Sequence, residues 1–521
     1  MNSIVNITLG QTPEWIAKLA NLLSYHQQAP MLFNSELFLV LFGVFLIFYC
    51  LLRKHQTARI IYVVLFSLYF YYKSSGIYFL LLVLISTTDF IISKLMAAAD
   101  ARVAAQAAKI SQSSRLARLP SSKPVKIFLL VLSLCIDFGL LGYFKYYDFF
   151  GSAFPHFRPA DIFLPVGISF FTFQTVSYVA DVFNGKIQPV RRWIDYIFYV
   201  SFFPQLVAGP IVRASDFIPQ IYKEPKVTKE DFGRAVTLII FGLLKKAVIS
   251  DYISTNFVDR IFAAPALYTG LENLLGVYGY TLQIYCDFSG YSDMAIGIAL
   301  LMGYKFNINF DFPYKSATVT EFWRRWHISL STWLRDYLYI PLGGNRKGKF
   351  RTYVNLMATM LLGGLWHGAA LKFVAWGGLH GLALCVNKFL TSHFHWFKNK
   401  GSEMRPWQRV LGIIVTFHFV CLCWILFRAD SLATVGTMLS QIFTNFHPEV
   451  FPQFIAGYKT VFTLMSIGYV LHFLPQHVFE DVRDFVTRSP LVLQALYLVL
   501  AILIVVQFKT AGVQPFIYFQ F

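Results

Sequence analysis

Residues 36–52 read ELFLVLFGVFLIFYCLL and run straight into the basic knot Arg53-Lys54-His55. An apolar run of this length, closed by positive charge, is the pattern of a helix crossing a bilayer and anchored at its surface. The rest of the chain repeats it. Further apolar segments lie near 58–72, 77–96, 126–150, 162–183, 194–208, 232–250, 272–303, 352–370, 371–391, 408–427, 461–475 and 490–508. Several are short or broken by Gly and Pro. The pattern predicts an all-α, polytopic integral membrane protein of about eleven transmembrane helices. Broken helices at membrane depth survive only where protein or a water-filled cavity satisfies the freed backbone. Re-entrant and interfacial helices around a central cavity are therefore expected as well.

Composition agrees. Of 521 residues, 56% are hydrophobic and only 14% charged, against about 25% charge in soluble domains. That excludes a cytosolic enzyme, a disordered chain and a disulfide-stapled secreted domain. The net charge of +18 sits between the apolar runs, chiefly in 97–126 and 321–351, where cytoplasmic loops carry it. No nucleic-acid motif accompanies it, so the partner is the lipid bilayer. The six cysteines form no CxxC spacing and read as small core residues. Residues 1–35 show no signal-peptide pattern and are read as an N-terminal extension of interfacial character. Residues 36–510 form one transmembrane domain and 511–521 a C-terminal tail.

Polar groups inside apolar runs are functional candidates by default. Gln174 lies in PVGISFFTFQ (165–174), with Ser169 and Thr172 nearby. Interhelical hydrogen bonding explains it as well as a substrate contact does. Pro204 and Pro210 in FPQLVAGPI (203–211) forbid a continuous helix there. Asp287 and Asp293 in YCDFSGYSD (285–293) suit either acid–base work or a buried hydrogen-bonded network, the latter favoured. The stretch EFWRRWHISLSTWLRDYLYI (321–340) reads as one continuous amphipathic helix. His327 falls on its apolar side near Arg324 and Ser331, and Arg325, Ser329, Thr332 and Asp336 on the other. Further on, Asn355 leads to LLGGLWHGAA (361–370), and WGGLHG (376–381) follows. Gly364-xxx-Gly368 and Gly377-xxx-Gly381 allow close backbone packing and leave Trp366 and His367 crowded. A neutral imidazole there could activate an alcohol against an acyl thioester. A lone membrane histidine such as His380, His418 or His472 reads better as a core residue. No third ligand with suitable spacing joins His327 and His367, so no metal is expected.

Six motifs in order carry a resemblance: PVGISFFTFQ, FPQLVAGPI, YCDFSGYSDMAIG, EFWRRWHISLSTWLRDYLYIPLGGNRKG, LLGGLWHGA and FRA (427–429). Together they resemble the membrane-bound O-acyltransferase (MBOAT) family. The bacterial branch with alginate and peptidoglycan O-acetyltransferases and the D-alanyl transfer proteins of teichoic acids is the most similar. The resemblance implies a ring of tilted helices around a thin central region, in the bacterial cytoplasmic (inner) membrane. It implies His367 as catalytic base or acyl relay and His327 as an assisting group. Trp366, Asn355, Arg324, Ser331, Asp287, Asp293 and Gln174 are the candidates for binding substrate or lining the cavity. No bound cofactor is implied. The donor would be acetyl-CoA on the cytoplasmic side, and the receiver a polysaccharide, alginate-like, or a periplasmic acetyltransferase. D-alanyl transfer from a carrier protein, and a non-catalytic channel or transporter, are the alternatives.

Overall fold

The computed structural model describes residues 13–27, 30–112, 121–154, 157, 159–160, 162–394, 404–508 and 516–517. Among the described residues the regular structure is helical throughout, with no strand.

The core is built on Gly270–Leu301, a helix of 32 residues, in which every position from 279 to 292 is buried. A capping box starts it: the Thr269 hydroxyl accepts from the Glu272 N–H, and the Glu272 carboxylate accepts from Thr269 N–H. Lys229–Leu243 begins in the same way on Thr228 and Asp231. The two helices pack at glycine. A Cβ on Gly242 would stand 2.6 Å from the Gly290 carbonyl oxygen, and one on Gly290 would stand 2.8 Å from that of Gly242. Lys349–His367 and Leu371–His393 pair by the same device, as their GxxxG spacings predict. A Cβ on Gly364 would meet the Phe373 carbonyl at 2.3 Å, and one on Gly377 that of Met360 at 2.3 Å.

Around this core lie helices whose apolar side chains face outward, as bilayer solvent requires. Five are long and apolar enough to cross a membrane: Gln56–Ala107, Lys123–Gly151, Leu371–His393, Pro406–Arg428 and Leu491–Phe508. The pair Pro448–Gly457 and Lys459–Phe473, bent by 98°, makes six if counted as one span. The count of eleven is not reached by this measure. The reason is physical: the central helices face protein rather than lipid, and carry polar side chains and glycines where a lipid-facing span carries leucine. The Pro204 and Pro210 segment is broken as expected, with only Phe203–Leu206 helical.

Of residues 1–35, Glu14–Leu23 forms an amphipathic helix with no buried residue. It is tethered at its end, where Tyr69 donates to the Leu23 carbonyl (3.1 Å) and Lys73 to that of Leu22 (2.9 Å). The basic region 97–126 and the 511–521 tail lie partly outside the described residues. Within the tail, Phe516 and Ile517 are buried in the core. The Ile517 N–H donates to Asp287 at 2.8 Å, and Phe516 packs 5.3 Å from Phe288. These two residues are thus part of the protein's packed interior.

Two helices rise from basic segments and meet at their far ends. Lys349–His367 starts just after the exposed turn holding Arg346 and Lys347, carries Arg351 in its first turn, and its 19 residues span about 28 Å. Lys123–Leu141 starts at the end of the basic stretch 97–126 and passes into a π-helical turn, Gly142–Tyr146. That turn touches the His367 end. Because the glycine contact between Lys349–His367 and Leu371–His393 is backbone against backbone, Gly377→Val should cost about 3 kcal/mol. A thermal melt of the purified protein in detergent would read this as a clear fall in midpoint.

Candidate active site

His367 is the last residue of its helix, 3% exposed, with three aromatic rings around it. Trp366 and Trp376 each lie 5.0 Å away, both edge-to-face, and Phe427 lies 5.3 Å away. His327 is fully buried. Its neighbours are Phe288 at 4.6 Å and Phe170, Phe310 and Trp366 at 6.3 Å. Trp366 is therefore a ring neighbour of both imidazoles, 5.0 Å from His367 and 6.3 Å from His327. Phe170 and Phe173, from Ile168–Phe183, complete the wall, 5.3 and 5.2 Å from Trp366. The Trp366 indole N–H donates to the Ser169 carbonyl at 3.3 Å.

The continuous helix expected over 321–340 is not formed. Val319–Arg325 ends, His327 takes a left-handed conformation at φ 44°, and Ile328–Leu334 starts anew, followed by a π-helical turn over Arg335–Tyr339. The cause is tertiary. Residues 309–311 supply the bonds a helix would have made: Ile328 N–H donates to the Asn309 carbonyl (2.9 Å), and Asp311 N–H donates to that of Arg325 (2.9 Å). The left-handed region is costly for a residue with a side chain, about 1–3 kcal/mol, and is held where surroundings over-determine it. Here they do. The Asn309 side-chain oxygen accepts from Ser329 N–H (3.1 Å) and Ser329 hydroxyl (2.9 Å), and lies 3.3 Å from His327 Nδ1. A backbone N–H can only donate, so the Ser329 contact fixes that end as the oxygen, and the amide nitrogen lies 3.2 Å from the Ser292 hydroxyl. Nδ1 of His327 is thus the protonated nitrogen, and Nε2 carries the lone pair of the neutral ring.

The other candidates divide. Trp366 is at the site. Asn355 is buried twelve residues earlier, about 18 Å down the helix, where its amide donates to the Gly344 carbonyl. Ser331 donates to the Trp326 carbonyl at 3.2 Å, bracing the break, while Arg324 is exposed. Gln174 is buried one residue beyond Phe173. Asp287 and Asp293 lie in a charged network instead. Lys246 bridges Asp287 (2.6 Å) and Asp251 (2.7 Å), and Lys245 pairs with Asp293. Asp287 also receives Ile517 N–H, so this network holds the wall behind Phe288.

Sequence reasoning missed Asn309, which sits in a loop with no signal in its spacing. It also missed Lys145, whose signal was there: a charge inside an apolar run. Beside Trp366 lies a pocket of about 40 Å³, lined by Lys145, Pro165, Gly167, Ser169 and Phe170 among others. It has room for water and not for a thioester donor. Among the described residues no group of three or more His, Cys, Asp or Glu is placed to hold a metal.

The profile of MBOAT, the membrane-bound O-acyltransferase family, matches residues 69–427. A Pseudomonas putida protein named probable alginate O-acetylase is 37% identical over 431 residues, 77% of this chain and 85% of the relative. A Helicobacter pylori peptidoglycan O-acetyltransferase is 40% identical over 344 residues, 60% of this chain and 63% of the relative. A Bacillus subtilis teichoic acid D-alanyltransferase is 31% identical over 297 residues, 54% of this chain and 73% of the relative.

Asn309→Ala removes an acceptor shared by His327 and Ser329 and leaves buried donors unpaired, worth about 1–3 kcal/mol. Acyl transfer by a variant that still folds should fall about 10- to 100-fold. A rate measurement alongside circular dichroism would show it.

Proposed function

The chain belongs to the membrane-bound O-acyltransferase family, in the branch of the alginate O-acetylases, and is a multi-pass membrane acyltransferase. From that premise we propose that it passes an acetyl group from acetyl-CoA, on the cytoplasmic side, toward a hydroxyl of an extracytoplasmic polysaccharide of alginate type. The receiver at the outer face is the sugar hydroxyl itself or a periplasmic acetyltransferase. The membrane is the bacterial cytoplasmic membrane. Family membership removes the channel without chemistry. The O-acetylating relatives are more similar than the D-alanyl-transferring one, which favours acetyl over D-alanyl.

One observation carries the reading: two buried imidazoles share one tryptophan at the end of a helix that starts in a basic turn. By the positive-inside rule that turn is cytoplasmic, so His367 stands at the far end of its helix, toward the other face. The proposed chemistry balances simply. His367 accepts the hydroxyl proton of the acceptor as its oxygen bonds to the thioester carbonyl carbon. The carbon–sulfur bond breaks, the thiolate leaves, and the proton passes to sulfur. His327, with its lone pair on Nε2, assists in holding the reacting hydroxyl. The aromatic shell keeps out bulk water, which would otherwise hydrolyse the thioester.

His367→Ala in a folded, membrane-inserted protein should lower O-acetylation of the envelope polysaccharide about 100- to 10,000-fold. His327→Ala should also lower it. Ester content of the isolated polysaccharide is the measurement, and unchanged acetylation by His367→Ala would overturn the reading.

A further inference from the structure

Lys145 lies in the π-helical turn Gly142–Tyr146, where helix Lys123–Leu141 meets the end of helix Lys349–His367. Its ammonium donates to the carbonyl oxygens of Trp366 (2.8 Å) and His367 (3.0 Å), and reaches the Ser169 hydroxyl at 3.4 Å. The next residue, Tyr146, donates its hydroxyl to the Leu365 carbonyl at 2.8 Å. A helix leaves its last four carbonyls without partners inside the helix. Here the last three, at 365, 366 and 367, are closed by two consecutive side chains from another helix. The following residue, Gly368, is extended at φ −164°, so the chain leaves the helix at the histidine itself.

We propose that Lys145 is a positioning residue for acyl transfer: its ammonium pins the helix end that carries His367 and thereby sets where the imidazole stands. The proposal rests on His367 being the proton acceptor and adds a residue to that reading. Three contacts occupy the three ammonium protons, so Lys145 acts through His367 and not on the substrate. The favourable geometry of a cation at a helix C-terminus supports the same role. So does the π-helical turn: the extra residue it inserts rotates the register and brings Lys145 and Tyr146 together onto one helix end. The pocket of about 40 Å³ that Lys145 lines is large enough for water to take over the carbonyls if the ammonium is removed. The fold should therefore survive the loss, while the histidine loses its fixed place. A displacement of about 1 Å in a reacting group can cost about 100-fold in rate.

The test uses inverted membrane vesicles from a host expressing the full chain, sealed around alginate oligosaccharide as the hydroxyl acceptor, with acetyl-CoA as the probe and release of free thiol as the signal. Wild type must release thiol and His367→Ala must not. If these two arms fail, the acyl-transfer reading fails, not the proposal about Lys145. With them in hand, Lys145→Met should lower kcat about 10- to 100-fold, with the KM for acetyl-CoA and the melting temperature close to wild type. An unchanged kcat, or a loss accounted for wholly by less folded protein, would overturn the proposal. Should Lys145→Met fail to insert, Lys145→Arg decides: its longer planar head keeps the charge but pushes the helix end away. A lowered kcat with wild-type KM supports the proposal, and wild-type kcat overturns it.

Discussion

A helix that stops inside a membrane protein strands carbonyl groups where no water can reach them, and this protein answers repeatedly with lysine. Lys145 closes the end of Lys349–His367. Lys372 closes the end of Pro406–Arg428, donating to the Ala429 carbonyl at 2.6 Å. Lys315 donates to the Leu474 carbonyl at 2.5 Å, just past Lys459–Phe473. An ammonium suits the task because it offers three donors on a flexible stem and complements the negative end of the helix dipole. The arrangement makes polar backbone tolerable at depth, and so permits helices to end where chemistry needs an edge. His367 stands on one such end. Phe427, packed against its ring, stands on the last turn before another.

His327 is presented by the opposite device. No lysine closes its break. The backbone of 309–311 takes over the hydrogen bonds, and Asn309 fixes the ring through Nδ1. One histidine is thus held through its own main-chain carbonyl, the other through its side chain and a strained φ. Behind the wall of His327 lies the charged group of Lys246, Asp251 and Asp287, which also anchors Ile517. Buried ion pairs of this kind add little net stability, since desolvation offsets attraction, but they do fix geometry. Here they secure the position of Phe288 and Phe516 against His327.

The sequence reveals the helical, membrane-spanning class because apolar run length is a direct record of bilayer thickness. It reveals the glycine contacts because GxxxG spacing is a statement about one helix face. It brings Trp366 and both histidines forward, since crowding by Trp and Gly is visible in the one-letter text. The helix break at Trp326-His327 is hidden. Nothing in WRRWHISLS discourages a helix, and the break is imposed by a loop that arrives from residue 309. Helical phase places His327 on an apolar side either way, so the right burial came with the wrong backbone. The crossing count is hidden for a related reason. Hydropathy measures contact with lipid, and Gly270–Leu301 has almost none.

The closed site bears on how the reaction must run. Both imidazoles are buried among aromatic rings, and the pocket beside Trp366 is of water size, about 40 Å³. Under the proposed reading, any reactant larger than water has to pass this wall to meet His367. Trp366 is tied to Ser169 by its indole N–H, and Trp333 is stacked face-to-face on Phe173 at 3.7 Å and donates to the Phe173 carbonyl. Displacing either ring would break hydrogen bonds as well as packing. The other rings of the shell are apolar throughout: Phe170, Phe288 and Phe310 beside His327, and Phe427 beside His367. A tryptophan in this wall is held by its indole N–H as well as by packing, so Trp366 and Trp333 resist displacement at two points rather than one.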